Sequence, residues 1–160
     1  GRFSIVDWGC GYGGFFDYLL KRTTNFDYTG FDITVPVLEQ ARKVHSSAAN
    51  ATWVDRVEDL KPSDYLVATG VYNIKFETQN DDWLTYVLGQ LETMFALANR
   101  GIAVTFLTAY SDPPKQRVDL FYADPLRLFD FAKRNLSANV ALLHDYGHWD
   151  FTLIVRKAAP

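Results

Sequence analysis

The stretch Ile5-Val6-Asp7-Trp8-Gly9-Cys10-Gly11-Tyr12-Gly13-Gly14 joins an apolar strand to a glycine turn and then to a helix-like run from Phe15 to Lys21. Glycine permits positive φ and close backbone approach, and a helix start presents unpaired N–H groups to a polar or anionic ligand. The joint is therefore suited to holding a nucleotide. Gly9, Gly11 and Gly14 also satisfy the spacing G-x-G-x-x-G, so the loop alone admits both a dinucleotide and a sulfonium nucleoside.

Asp7 breaks the tie. It ends the strand two residues before the first glycine, where its charge would repel a pyrophosphate but suits a ligand bearing a sulfonium and an ammonium. With Asp7-Trp8-Gly9-Cys10-Gly11 reading acid-x-G-x-G after a first strand, the chain resembles the class I S-adenosylmethionine-dependent methyltransferases.

Tyr28 to Ile33 reads as a second strand ending in Asp32, 18 residues past Gly14, where nucleotide folds place the acceptor for ribose hydroxyls. The alternative for Asp32 is a cap on the helix that begins near Thr34. Thr52-Trp53-Val54-Asp55 is a third strand whose acid would meet the adenine amino group if the resemblance holds; as a loop carboxylate it would simply face water. Asp64 to Asn73 is a fourth strand running into a glycine turn, which the resemblance places beside the methyl group. The implied cofactor set is thus Asp7 near the amino-acid end, the backbone at Gly9, Cys10 and Gly11, then Asp32 with its neighbour Ile33, Asp55 and Thr69. For its side chain, Cys10 reads as a small thiol packed between two glycines.

Strands alternate with helices, which implies a parallel sheet covered on both faces. Phe15, Phe16, Leu19 and Leu20 give the first helix an apolar side, and Val37, Leu38, Ala41 and Val44 give the second one. Leu84, Val87, Leu88, Leu91, Met94, Phe95 and Ala98 follow helical spacing from about Asp81 to Asn99, with Arg100-Gly101 as the stop. Met94 is accordingly core. Gly101 to Tyr110 suits a fifth strand, and Pro113 to Tyr122 a loop over the carboxyl edge of the sheet. Asp124-Pro125 opens a fourth helix with Leu128, Phe129, Ala132 and Leu136 inward. Asn139 to Tyr146 and Asp150 to Lys157 are joined by only Gly147-His148-Trp149, too short for a parallel crossover, so they pair antiparallel. The expected fold is a doubly wound α/β sheet of seven strands, its order 3-2-1-4-5-7-6 carried over from the resemblance, over residues 1–160 as one domain. A six-stranded dinucleotide domain would need another helix before its last strand. The chain starts at its first strand, so either a covering segment precedes it in a longer protein or complex, or that lid is lacking.

Thr69-Gly70-Val71-Tyr72 lacks the prolines of the Asp/Asn-Pro-Pro-Tyr signature for planar nitrogens, which argues against adenine and glutamine as acceptors. Tyr72, Asn73 and His144 are the candidate catalytic groups, His144 as a base beside Asp145, Tyr146 and His148. Alternation along a strand would alternatively place His144 and Tyr146 on one sheet face for purely structural reasons. Tyr110 and Asp112 follow the fifth strand as weaker candidates. His45, late in the second helix, is read as meeting the C-terminal dipole without chemistry.

A net charge of −3 and pI near 5.5 leave no electrostatic footprint for nucleic acid. One cysteine and three histidines offer neither an internal disulfide nor a zinc pattern. No apolar run approaches a membrane span and no signal peptide is seen, so a reducing, cytoplasmic setting is expected. The expected activity is transfer of a methyl group to an oxygen or nitrogen of a small molecule, such as a sugar or a carrier-linked intermediate. A non-catalytic cofactor-binding domain of a larger assembly and a NAD-binding module are the rival readings.

Overall fold

The computed structural model describes residues 1–158; residues 159 and 160 of the expected domain lie outside the described residues. One seven-stranded sheet carries the fold, in the order β3-β2-β1-β4-β5-β7-β6. β1 (Phe3–Trp8) lies between β2 (Phe26–Phe31) and β4 (Ser63–Thr69), parallel to both. It is buried from Ile5 to Trp8, as befits a central parallel strand covered on both faces, where an unbroken apolar run is favoured. β3 (Ala51–Val54) extends the sheet beyond β2. β5 (Ala98–Leu107) follows β4 in parallel, and β7 (Asp150–Arg156) then pairs antiparallel with both β5 and β6 (Asn139–Leu143).

Helices α1 (Gly14–Leu20) and α2 (Val35–Val44) are joined to β1, β2 and β3 by a core of Ile5, Cys10, Phe16, Phe26, Tyr28 and Leu38. A larger core, including Val6, Leu66, Val104, Phe106 and Leu153, binds α3 (Asn80–Leu97) and α4 (Pro125–Asn135) to the sheet. Asp124 caps α4 by accepting from Leu126 N at 2.9 Å and Arg127 N at 3.3 Å, with Pro125 in the first turn.

Several boundaries differ from the expectations. No loop separates α3 from β5: the strand starts at Ala98, so Arg100 and Gly101 belong to it and do not stop the helix. Gly101 is required by the neighbouring strand, since a Cβ there would stand 2.5 Å from Val155 O. β5 ends at Leu107 instead of Tyr110, Thr108 making only an isolated bridge to Ala123. β6 ends at Leu143, which places His144, Asp145 and Tyr146 in the turn. On α2, the inward position after Ala41 belongs to His45 and not to Val44, which is exposed; Leu20 of α1 is likewise exposed.

Candidate active site

Every parallel strand ends on the same edge, and β1, at the centre, is where the connections diverge to either side. Open sheets bind ligands outside the carboxyl ends at such a switch point. A cleft of about 510 Å³ opens there, lined among others by Trp8, Phe31, Ile33, Val57, Val71 and Tyr86. These apolar and aromatic walls suit a flat heterocycle. Asp32, Thr34, Thr69 and Gln90 add polar groups to the same lining.

The glycine turn is shaped by the neighbours of β1. Gly9 has φ 78°, and a Cβ there would run into Val71 Cγ2, so both conformation and space demand glycine. Gly9 N donates to Phe31 O at 2.7 Å and Cys10 N to the same oxygen at 2.9 Å. Gly13 N donates to Cys10 O at 3.0 Å, and Gly11 N to Asp32 Oδ2 at 2.9 Å. Four of the turn's donors are thus spent inside the protein, which leaves close backbone approach, and not these N–H groups, as what Gly9, Cys10 and Gly11 offer a ligand.

Asp32 is fixed by two backbone donors, Gly11 N and, at 2.8 Å, Thr34 N. It does not cap α2 in the usual sense, because the group bonded is the N-cap residue's own N–H. Instead it ties the exit of β2 to the turn after β1, with the carboxylate in the lining of the cleft.

Asp7 is only 4 % exposed. Tyr28 donates to its Oδ2 at 2.7 Å. Burial pushes the carboxyl up to about 6, the Tyr28 hydrogen bond opposing this and the nearby charge of Asp32 adding to it. Asp7 is not among the residues that line the cleft. Desolvation and the same two carboxylates push the Cys10 thiol up to about 12, and its sulfur fills the space above Gly30.

The remaining expected residues divide as follows. Ile33 and Thr69 line the cleft. Asp55 follows β3 outside the lining, where Val57 stands instead. Tyr72 is corrected to a core residue: it is 1 % exposed, its ring stacks on Phe106 and its hydroxyl meets Met94 Sδ at 3.7 Å. Asn73 Oδ1 accepts from Leu107 N at 3.1 Å, bracing the exits of β4 and β5. His144 packs on Tyr110 and Phe151 beyond β6. It shares a separate small pocket with Tyr110 and Asp112 and is not among the residues that line the cleft. His45 is buried between Phe16 and Trp53, with Nε2 3.2 Å from Tyr12 O; it props the back of the glycine turn. Tyr86 and Gln90 were missed by the sequence analysis, although their i,i+4 spacing puts them on one face of α3. Among the described residues, no group of three or more His, Cys, Asp or Glu could hold a metal ion, and no helix is long and apolar enough to cross a membrane.

Comparison with known proteins adds an independent line. A family profile described as "Methyltransferase domain" matches residues 5–91. Rv1506c of Mycobacterium tuberculosis (strain ATCC 25618 / H37Rv), whose name provisionally assigns it as a methyltransferase, is 42% identical over 157 residues, 98% of this chain and 95% of that protein. The SAH-bound magnesium protoporphyrin IX methyltransferase of Synechocystis PCC 6803 superposes with a TM-score of 0.70 at 14% identity, covering 98% of this chain and 75% of that one. The 1,6-didemethyltoxoflavin-N1-methyltransferase of Burkholderia thailandensis, bound to its substrate and S-adenosylhomocysteine, gives 0.65 at 17% identity, covering 99% and 72%.

Proposed function

The chain belongs to the methyltransferase-domain family, and we propose that it moves the methyl group of S-adenosylmethionine to an oxygen or nitrogen of a small molecule, as a single domain in the cytoplasm. The observation that carries the cofactor assignment is the turn whose N–H donors are consumed by Phe31 and Asp32 beside two carboxylates. Such a site repels a dinucleotide's phosphates and attracts a cation.

Asp32 accepts the ribose hydroxyls with the lone pairs left over from its two backbone bonds. Ile33, Val57 and Tyr86 wall the adenine, and Thr69 lies beside the methyl carbon. Asp7 balances the charge of the sulfonium and ammonium from beneath the turn. Gly9 meets the amino-acid end as part of the cleft wall, while Cys10 and Gly11 hold that wall in shape. Asp55 stands by as an outer acceptor for the adenine amino group.

Methyl transfer needs the nucleophile in line with the methyl carbon, and positioning alone can supply on the order of 7 to 11 kcal/mol. With Tyr72 in the core and His144 off the cleft, the acceptor is delivered with its lone pair available and no side chain of the cleft is assigned as a base. The exposed Ile74, Phe76, Tyr110 and Val118 on the loops after β4 and β5 give the acceptor an apolar rim, consistent with a small organic molecule. The test is calorimetry with S-adenosylhomocysteine and NADH in parallel: the first is expected to bind and the second to give no heat. The reverse result would refute the cofactor assignment.

A further inference from the structure

A second pocket opens on the same edge, about 400 Å³ in volume, between the loops that follow β4 and β5. Its polar lining is Lys75, Asn80, Gln116, Arg117 and Tyr122. It contains two cations and no carboxylate, although the chain as a whole carries −3. Among the described residues, Lys75 has no carboxylate within 4.0 Å. Its Nζ is held by Thr78 O at 2.9 Å and its backbone N–H by Asp119 O at 3.0 Å.

The other members are equally fixed. Asp119 grips Arg117 through Nε at 3.0 Å and Nη2 at 2.5 Å, which leaves further guanidinium N–H groups unused. Arg117 N donates to Tyr122 Oη at 3.0 Å, and Gln116 Nε2 to Ser111 O at 3.1 Å. The two loops are also zipped together by the Ile74–Leu120 bridge and by Phe121 N donating to Asn73 O at 2.8 Å. Asp119, outside the lining, pairs with Arg117 and feels the charge of Lys75; two cations against that one carboxylate, spare guanidinium donors and braced walls make a site for an anion, where charge-assisted bonds are stronger than neutral ones. One loop borders both the cleft and the pocket, since Thr69, Gly70 and Val71 line the first and Lys75 the second.

We propose that this pocket receives an anionic group, phosphate or carboxylate, carried by the methyl acceptor; the acceptor part of this statement rests on the methyl-transfer reading above. The test is an amide NMR titration of the labelled protein, with and without S-adenosylhomocysteine, using inorganic phosphate, benzoate and benzamide as probes. Saturable shifts at Lys75, Gln116 and Val118 are expected with phosphate, benzoate or both, which identifies the accepted anion, and none with neutral benzamide. Lys75→Met should weaken anion binding about tenfold, the loss expected for one charged hydrogen bond, with the rest of the spectrum and S-adenosylhomocysteine binding unchanged. Absence of shifts in this pocket with both anions, or equal binding by the variant, overturns the proposal. Failure of S-adenosylhomocysteine to bind overturns the methyl-transfer reading instead, and the titration of the unliganded protein remains readable.

Discussion

Asp7 carries a stability cost, to be set against the binding role proposed for it. Its carboxyl rises from 3.8 to about 6 on folding, so between these pH values the folded chain holds a proton that the unfolded chain has lost. This contribution to stability is fully present at low pH and falls as pH rises through that window. At neutral pH it amounts to a penalty of about 3 kcal/mol, at 1.36 kcal/mol per unit. Asp7→Asn keeps an acceptor for Tyr28 and should stabilise the protein by up to about that amount at pH 7, with a flatter pH dependence in chemical denaturation. The same variant should bind S-adenosylmethionine more weakly at neutral pH and lack the fall in affinity expected of the parent as pH drops through 6. Asp32→Ala removes an ionised acceptor from the cleft lining and should cost about 1 to 3 kcal/mol of cofactor affinity in calorimetry. The place of Asp32 in the cleft lining was legible because it closes the second strand at the edge where the glycine turn follows the first. Tyr72 was not, because its neighbours Val71 and Asn73 share its loop, and only the packing of Met94 of α3 and Phe106 of β5 around it decides which of the three is covered.

Short-range chemistry decides where some elements begin and neighbouring strands decide where others end. Asp124-Pro125 starts α4 through bonds confined to four residues, which is why the sequence revealed it directly. Asp124→Ala should lower stability by about 1 kcal/mol, read as a fall in Tm of about 2 to 4 °C for a chain of this length. Arg100-Gly101 misled because a cation and a glycine suit a helix end equally well, whereas the actual demand on Gly101 comes from Val155, 54 positions later in the chain. The hairpin was legible in its pairing and not in its length, since the turn residues His144 to Tyr146 continue the apolar and aromatic pattern of β6. Phe76 carries the other local signature, φ 52° on an exposed loop. Phe76→Gly should raise stability by about 1 kcal/mol in denaturant melts, because a left-handed conformation costs a side chain roughly that much. A lower stability would mean that Phe76 packs in solution.

At the scale of the molecule, alternation of strands and helices specified a doubly wound sheet, and the short final link specified the antiparallel pair. The cleft as a volume was less accessible, because a helical pattern says that Tyr86 and Gln90 turn away from the core but not which crevice they border. A ligand that binds only the folded chain at a hundredfold excess over its Kd adds about 2.7 kcal/mol. S-adenosylhomocysteine should therefore raise Tm measurably under conditions in which NADH leaves it unchanged. The sheet order has a further consequence for biosynthesis. Because β7 is inserted between β5 and β6, the nascent chain leaves the edge of β5 that faces away from β4 unmatched until residues 150–156 have been made. Premature termination before residue 150 would leave an adhesive border of that kind permanently open, and such fragments would be prone to edge-to-edge association.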